Sequence, residues 1–252
     1  MVKVCIFCTK RVNSDEHVWP EWLLTIIKQW PGKMVFQAMQ LNKLGQTKKW
    51  NRFDPEIRVR NVCKACNSGW LSQLEGKAKL ILVPMINGTA STLTLEQQGT
   101  LAIWMIKCGL VFDTMENGEG IFYNKSDRIY FSQHLLPLER TDVWAGYYAG
   151  PDLRAFTRYG TIARSQSRPP YNLYIMTMAF GRLVLQLINI KFLTPQDGEG
   201  FRLPVRSQEW NLFVNEIMSR KSPGPINWPP SVSFDDTNYT FDEFSDRFGR
   251  LI

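Results

Sequence analysis

Cys63-Lys64-Ala65-Cys66-Asn67-Ser68-Gly69-Trp70 presents two thiols from one tight turn and follows them at once with an amide side chain. A matching turn, Cys5-Ile6-Phe7-Cys8, precedes it, with 54 residues between Cys8 and Cys63. Two Cys-x-x-Cys turns can bring four thiolates around one tetrahedral zinc ion. The opening Met1-Val2-Lys3-Val4-Cys5 lacks the apolar core of a signal peptide, so a reducing, cytoplasmic setting is expected, where paired cysteines bind metal rather than cross-link. The spacing therefore predicts a structural Zn²⁺ on Cys5, Cys8, Cys63 and Cys66. Such an ion can contribute on the order of 10 kcal/mol to folding. A segment this short has a limited core of its own and depends on such a staple. Cys108 stands apart in an apolar run, Leu101 to Phe112, and reads as a buried small side chain.

The chain of 252 residues is 44% apolar and 21% charged, enough to bury a sizeable core and too apolar for a disordered chain. Its net charge of +7 is concentrated at one end: residues 1–80 hold 14 Lys/Arg against 6 Asp/Glu. A local basic excess attracts polyanions, or forms a solvated face. The most apolar later stretch, Tyr171 to Ile190, is interrupted by Arg182 and Gln186, so no membrane span is expected.

Around the cysteines, Trp19, Trp22, Leu23, Ile26, Ile27 and Trp30 follow the spacing of one helical face, predicting a helix from Pro20 to Trp30 stopped by Pro31-Gly32. A strand over Met34 to Gln40, a turn through Gly45 and a strand over Glu56 to Val62 follow; Arg58 and Arg60 should share a face of the latter. Trp70, Leu71, Leu74 and Ala78 mark a second amphipathic helix, with Asn67 suited to its N-cap. Turn-forming residues gather at 83–94 as a boundary. Beyond it, Thr94-x-x-Gln97 opens a buried helix through Leu110, and Tyr171 to Ile190 reads as two paired strands broken at Phe180-Gly181. Helices are expected over Gln208–Ser219 and Thr240–Phe248.

A cysteine pair, then Glu16-His17 with Pro20, then a second pair followed directly by Asn67 resembles the HNH endonucleases, whose ββα-metal fold is often braced by zinc on two cysteine knuckles. "EHVWPEWL" with "CKACNSGWLSQLE" is similar to bacterial HNH-type proteins carrying a long C-terminal extension. Residues 95–252 read from their own pattern as a mixed α+β domain, expected to recognise target, partner or trigger, so the chain is expected to be α+β. The resemblance covers roughly residues 1–80 and implies a zinc-braced HNH (ββα-metal) module over residues 1–82. It further implies Glu16 and Asn67 as ligands of a catalytic Mg²⁺ or Mn²⁺, His17 as general base, and DNA, or RNA, as substrate. The family's middle Asn has no counterpart: Arg58 stands in its place, with Asn61 and Asn51 the nearest asparagines. Nucleases of this class often serve mobile elements or defence against phage, which is context from the family alone.

The chemistry is coherent. Histidine, with an ordinary pKa of about 6.5, can take a proton from water at neutral pH. A hard divalent cation on one carboxylate and one amide oxygen neutralises phosphate and assists the leaving oxygen. Arg58, Arg60, Lys64, Lys48, Lys49 and Arg52 are the candidate phosphate contacts. Two other readings compete with hydrolysis. One is a non-catalytic zinc module binding nucleic acid; the other is a zinc-stabilised interaction module whose extension binds a partner or a second copy of the chain. His134, without a partner motif, is expected to be structural.

Overall fold

The computed structural model describes residues 3–29, 36–41, 47–52, 56–115, 122–149, 153–162, 170–192, 194, 214–218, 224–233, 235, 237 and 240–247. Its strands are β1 (Ser14–His17), β2 (Phe36–Leu41), β3 (Thr47–Arg52), β4 (Arg58–Val62), β5 (Ser91–Leu93), β6 (Thr141–Tyr147), β7 (Arg154–Ile162), β8 (Tyr171–Phe180), β9 (Leu183–Phe192), β10 (Val214–Met218) and β11 (Ile226–Trp228). Its helices are α1 (Glu21–Ile27), α2 (Lys64–Cys66), α3 (Ser72–Ile86), α4 (Leu95–Phe112), α5 (Lys125–His134) and α6 (Phe241–Ser245). A wide turn, Asn67–Leu71, kinked at Gly69 (φ −96°, ψ −115°), joins α2 to α3. The chain is mixed α+β, and no helix among the described residues is long and apolar enough to cross a membrane.

Seven strands form one sheet in the order β10-β6-β9-β8-β7-β2-β3, antiparallel except for the β2–β7 pair. The β8–β9 hairpin is its centre and turns at Gly181, whose φ of 58° suits glycine. Both strands are buried along nearly their whole length because both sheet faces are covered, so the run shows no polar alternation. Leu183, Leu185 and Leu187 turn toward the main core with Met176, Met178 and Phe180. Val184 and Ala179 meet Phe241 and Phe244 of α6 on the other face. The main core continues from this sheet through α4 to Cys5, Val18, Trp19 and Leu71, so the N-terminal residues share it.

Several elements follow local rules. Thr94 and Gln97 exchange both capping-box bonds at α4, and Thr240 and Glu243 do so at α6. Other expectations change. Residues 214–218 of the helix expected over Gln208–Ser219 form a strand, the rest lying outside the described residues. A bulge between Glu216 and Met218 sets the buried Val214 and Ile217 three apart, which imitates a helical period. A strand over Thr47–Arg52, absent from the sequence reading, pairs with β2 and annexes this hairpin to the C-terminal strands. Pro84 lies inside α3, so the break falls after Ile86. α1 ends at Ile27; Trp30, Pro31-Gly32 and the Gly45 turn lie outside the described residues.

α4 crosses the sheet closely at Gly109, where Tyr174 Oη donates to the Gly109 carbonyl at 3.2 Å. A Cβ at this position would stand 2.5 Å from Leu187 Cδ2, in fully buried surroundings. Gly109→Ala is expected to cost about 1–3 kcal/mol through overpacking, read as a lowered urea midpoint at unchanged slope.

Candidate functional site

The four cysteines come together as the sequence predicts. Their Sγ atoms all lie within 4.8 Å of one another, and those of Cys8 and Cys63 are 3.6 Å apart. A tetrahedron with Zn–S bonds of about 2.3 Å has edges of roughly 3.8 Å, so the cluster is the right size for zinc. Among the described residues it is the one group of three or more Cys, His, Asp or Glu side chains close enough to share an ion. Each turn is set by backbone bonds: Cys5 N–H to the Lys10 carbonyl (2.8 Å), Cys66 N–H to the Cys63 carbonyl (3.1 Å), and Lys10 N–H to Cys8 Sγ (3.4 Å). Ile6 N–H donates to the Asn61 carbonyl, tying the first turn to the strand that feeds the second. Phe7 packs edge-on against Trp70 at 5.0 Å. Burial lifts the Cys5 thiol to about 11 and raises Cys66 further, so a bound cation is what would hold these sulfurs as thiolates.

Two paired strands and a helix meet at the frame. β1 and β4 pair antiparallel, with His17 opposite Arg58 and a bulge between Ser14 and Glu16. The chain then enters α2 at the second knuckle, where Asn13 Oδ1 accepts from Lys64 N–H at 2.7 Å. Asn67 is not an N-cap: the helical path begins a turn earlier, at Lys64, and its own backbone is helical. Its Nδ2 donates instead to Ser14 Oγ (2.8 Å) and the Asp15 carbonyl (3.0 Å), pinning the helix to β1. Glu16, His17 and Asn67 thereby line one cleft of about 450 Å³, with Glu21 and Glu75 supplying further polar groups and Pro20, Trp22 and Thr25 completing it.

Three partners in this neighbourhood escaped the sequence reading. Glu16 is buried and ion-paired with Lys107 Nζ at 2.7 Å, and the same ammonium reaches Glu75 Oε1 at 2.7 Å. Lys107 belongs to α4 and is fully buried. Burial works against its charge, but Glu16 and Glu75 outweigh it and hold its pKa above the ordinary lysine value. Burial raises the Glu16 carboxyl, and Lys107 pulls it back. The third partner is Glu56, whose Oε1 lies 3.4 Å from His17 Nε2 and is gripped by Arg58, with Arg58 Nε at 2.8 Å. The Arg58 side chain holds the Glu56 carboxylate below its usual pKa, with His17 adding to the effect. One signal was available: a lone lysine inside the apolar run Leu101 to Phe112 has to find a carboxylate.

Asn61 faces away from the cleft. It is buried and its Nδ2 donates to Thr114 Oγ1, beyond the end of α4. Arg58, Arg60 and Lys64 are exposed along β4 and the α2 entrance. Lys48, Lys49 and Arg52 lie on β3, the edge of the seven-stranded sheet, so the six basic candidates do not share one element. His134 packs against Tyr130 with ring centroids 4.6 Å apart and the planes tilted by 42°, outside the cleft. In comparisons with known proteins, no family model, curated protein or solved structure matches this chain.

If the cluster holds zinc, Cys66→Ser should lose the metal and most of the on the order of 10 kcal/mol it lends to folding. Cys108→Ser, equally buried but outside the cluster, should keep it. Metal analysis and thermal unfolding of the two variants read out the difference.

Proposed function

We propose that the chain is a metal-dependent phosphodiesterase of the HNH endonuclease type acting on DNA. His17 is the general base, and Glu16 and Asn67 stand beside a divalent cation. The observation that carries this reading is the convergence of Glu16, His17 and Asn67 on one cleft where two paired strands and a helix meet at the cysteine frame. The donor set suits a hard cation held sparsely: a carboxylate and an amide whose Nδ2 is already engaged, with water completing the shell. Such a cation, Mg²⁺ or Mn²⁺, would neutralise phosphate charge and stabilise the leaving oxygen. The cleft itself argues that a cation is needed. Glu16, Glu21 and Glu75 line it, and the buried Lys107 ammonium meets two of them, so a bare phosphate inside the cleft would be repelled.

The chain's own groups divide the work. Arg58 fills the place of the family's middle Asn, and the Glu56 carboxylate that it grips orients His17 through Nε2 in that residue's stead. Exposed Arg58, Arg60 and Lys64 offer phosphate contacts beside the cleft. Each contact to phosphate adds to the salt dependence of binding.

A second reading, a non-catalytic zinc module that binds nucleic acid, is favoured by one observation. Glu16 and Asn67 both have structural partners, Lys107 and β1 respectively. Supercoiled plasmid separates the two. The nuclease reading expects Mn²⁺- or Mg²⁺-dependent nicking that falls about 10²–10⁴-fold in His17→Ala at unchanged zinc content. Salt-sensitive binding with no cleavage at any metal concentration supports the second reading. Cleavage that survives His17→Ala refutes the assigned base.

A further inference from the structure

Lys107 is a single ammonium sealed between two carboxylates that come from separate elements, β1 and α3. It is fully buried, while Glu16 is 3% exposed and Glu75 reaches the cleft. A buried ion cluster of this kind is seldom needed for stability, since an apolar side chain of similar length often serves as well. Its neighbours on α4 are apolar and equally buried, so Lys107 is the one charge that helix spends inside the core. The lysine cannot touch a substrate in the cleft. It can decide how much negative charge the cleft presents to one.

We propose that Lys107 is a positioning residue acting as the resident cation of the cleft. Its ammonium takes the inner place between Glu16 and Glu75, confines a divalent ion to the outer side beside Asn67, and keeps that ion weakly held. The proposal rests on reading the cleft as a divalent-cation site. Glu16 and Glu75 together carry two negative charges, and the ammonium cancels one of them at contact distance from both. Removing a positive charge a few ångströms from a bound cation strengthens that cation's binding. The ammonium also fixes both carboxylates from the side away from solvent, so Glu16 stays in place when the outer ion leaves.

The test is Mn²⁺ binding to the zinc-loaded protein, followed by electron paramagnetic resonance without nucleic acid, so that its result is independent of whether DNA is cut. Lys107→Met is expected to bind Mn²⁺ about tenfold or more tightly than wild type, and Lys107→Arg to bind as weakly as wild type. A folded Lys107→Met protein with retained zinc and no tighter Mn²⁺ binding overturns the proposal. Should Lys107→Met not fold, Glu75→Gln serves instead. Lys107 then neutralises Glu16 alone and Mn²⁺ affinity should fall severalfold. Unchanged affinity in that variant, or no Mn²⁺ binding in any of them, overturns the proposal equally.

Discussion

Four sulfur atoms gathered within 4.8 Å are the constraint on which the rest of the N-terminal architecture depends. The two knuckles are far apart in sequence, and beside the sulfurs they meet through the Ile6 N–H bond to the Asn61 carbonyl and the Phe7–Trp70 contact. Holding them together fixes the end of β4, the direction in which α2 leaves it, and therefore where Asn67 meets β1. A metal that needs all four thiolates also leaves no ligand position for a histidine. The cleft is thus a by-product of the frame: closing the cluster brings Glu16, His17 and Asn67 to one place without using any of them.

The C-terminal body completes this arrangement rather than standing beside it. β2 and β3, encoded between the knuckles, become the last two strands of a sheet whose other five come from after residue 140. α4 carries Lys107 into contact with Glu16, and Asn61 reaches across to Thr114 at the end of the same helix. Ser132 Oγ donates to the Phe7 carbonyl at 2.7 Å as a further tie, and one continuous apolar core crosses between the segments. A displacement of α4 would be felt at Glu16 directly, giving the extension a physical route to the cleft.

What was legible in the sequence is what local chemistry encodes. The Cys-x-x-Cys turns, both threonine capping boxes and the hairpin break at Gly181 are decided by residues within a few positions of each other. The grouping of Glu16, His17 and Asn67 came from the family resemblance rather than from any local rule, and the three line one cleft. What was hidden depends on partners distant in sequence. The bulge in β10 gives a strand the apolar spacing of a helix, and only its pairing with β6 reveals it. Asn67 looked like an N-cap, yet its amide is claimed by β1 from more than fifty residues away. Lys107, an anomaly in an apolar helix, escaped the sequence reading, and nothing local says that its carboxylates are Glu16 and Glu75.

The claim that the frame is complete without the cleft residues is tested most directly by X-ray absorption at the zinc edge of the purified protein. Four thiolates predict a single shell of sulfur at about 2.3 Å and no lighter scatterer bound to the metal. A nitrogen or oxygen contribution near 2.0 Å that disappears in His17→Ala or Glu16→Gln would place a cleft residue on the zinc and contradict the account.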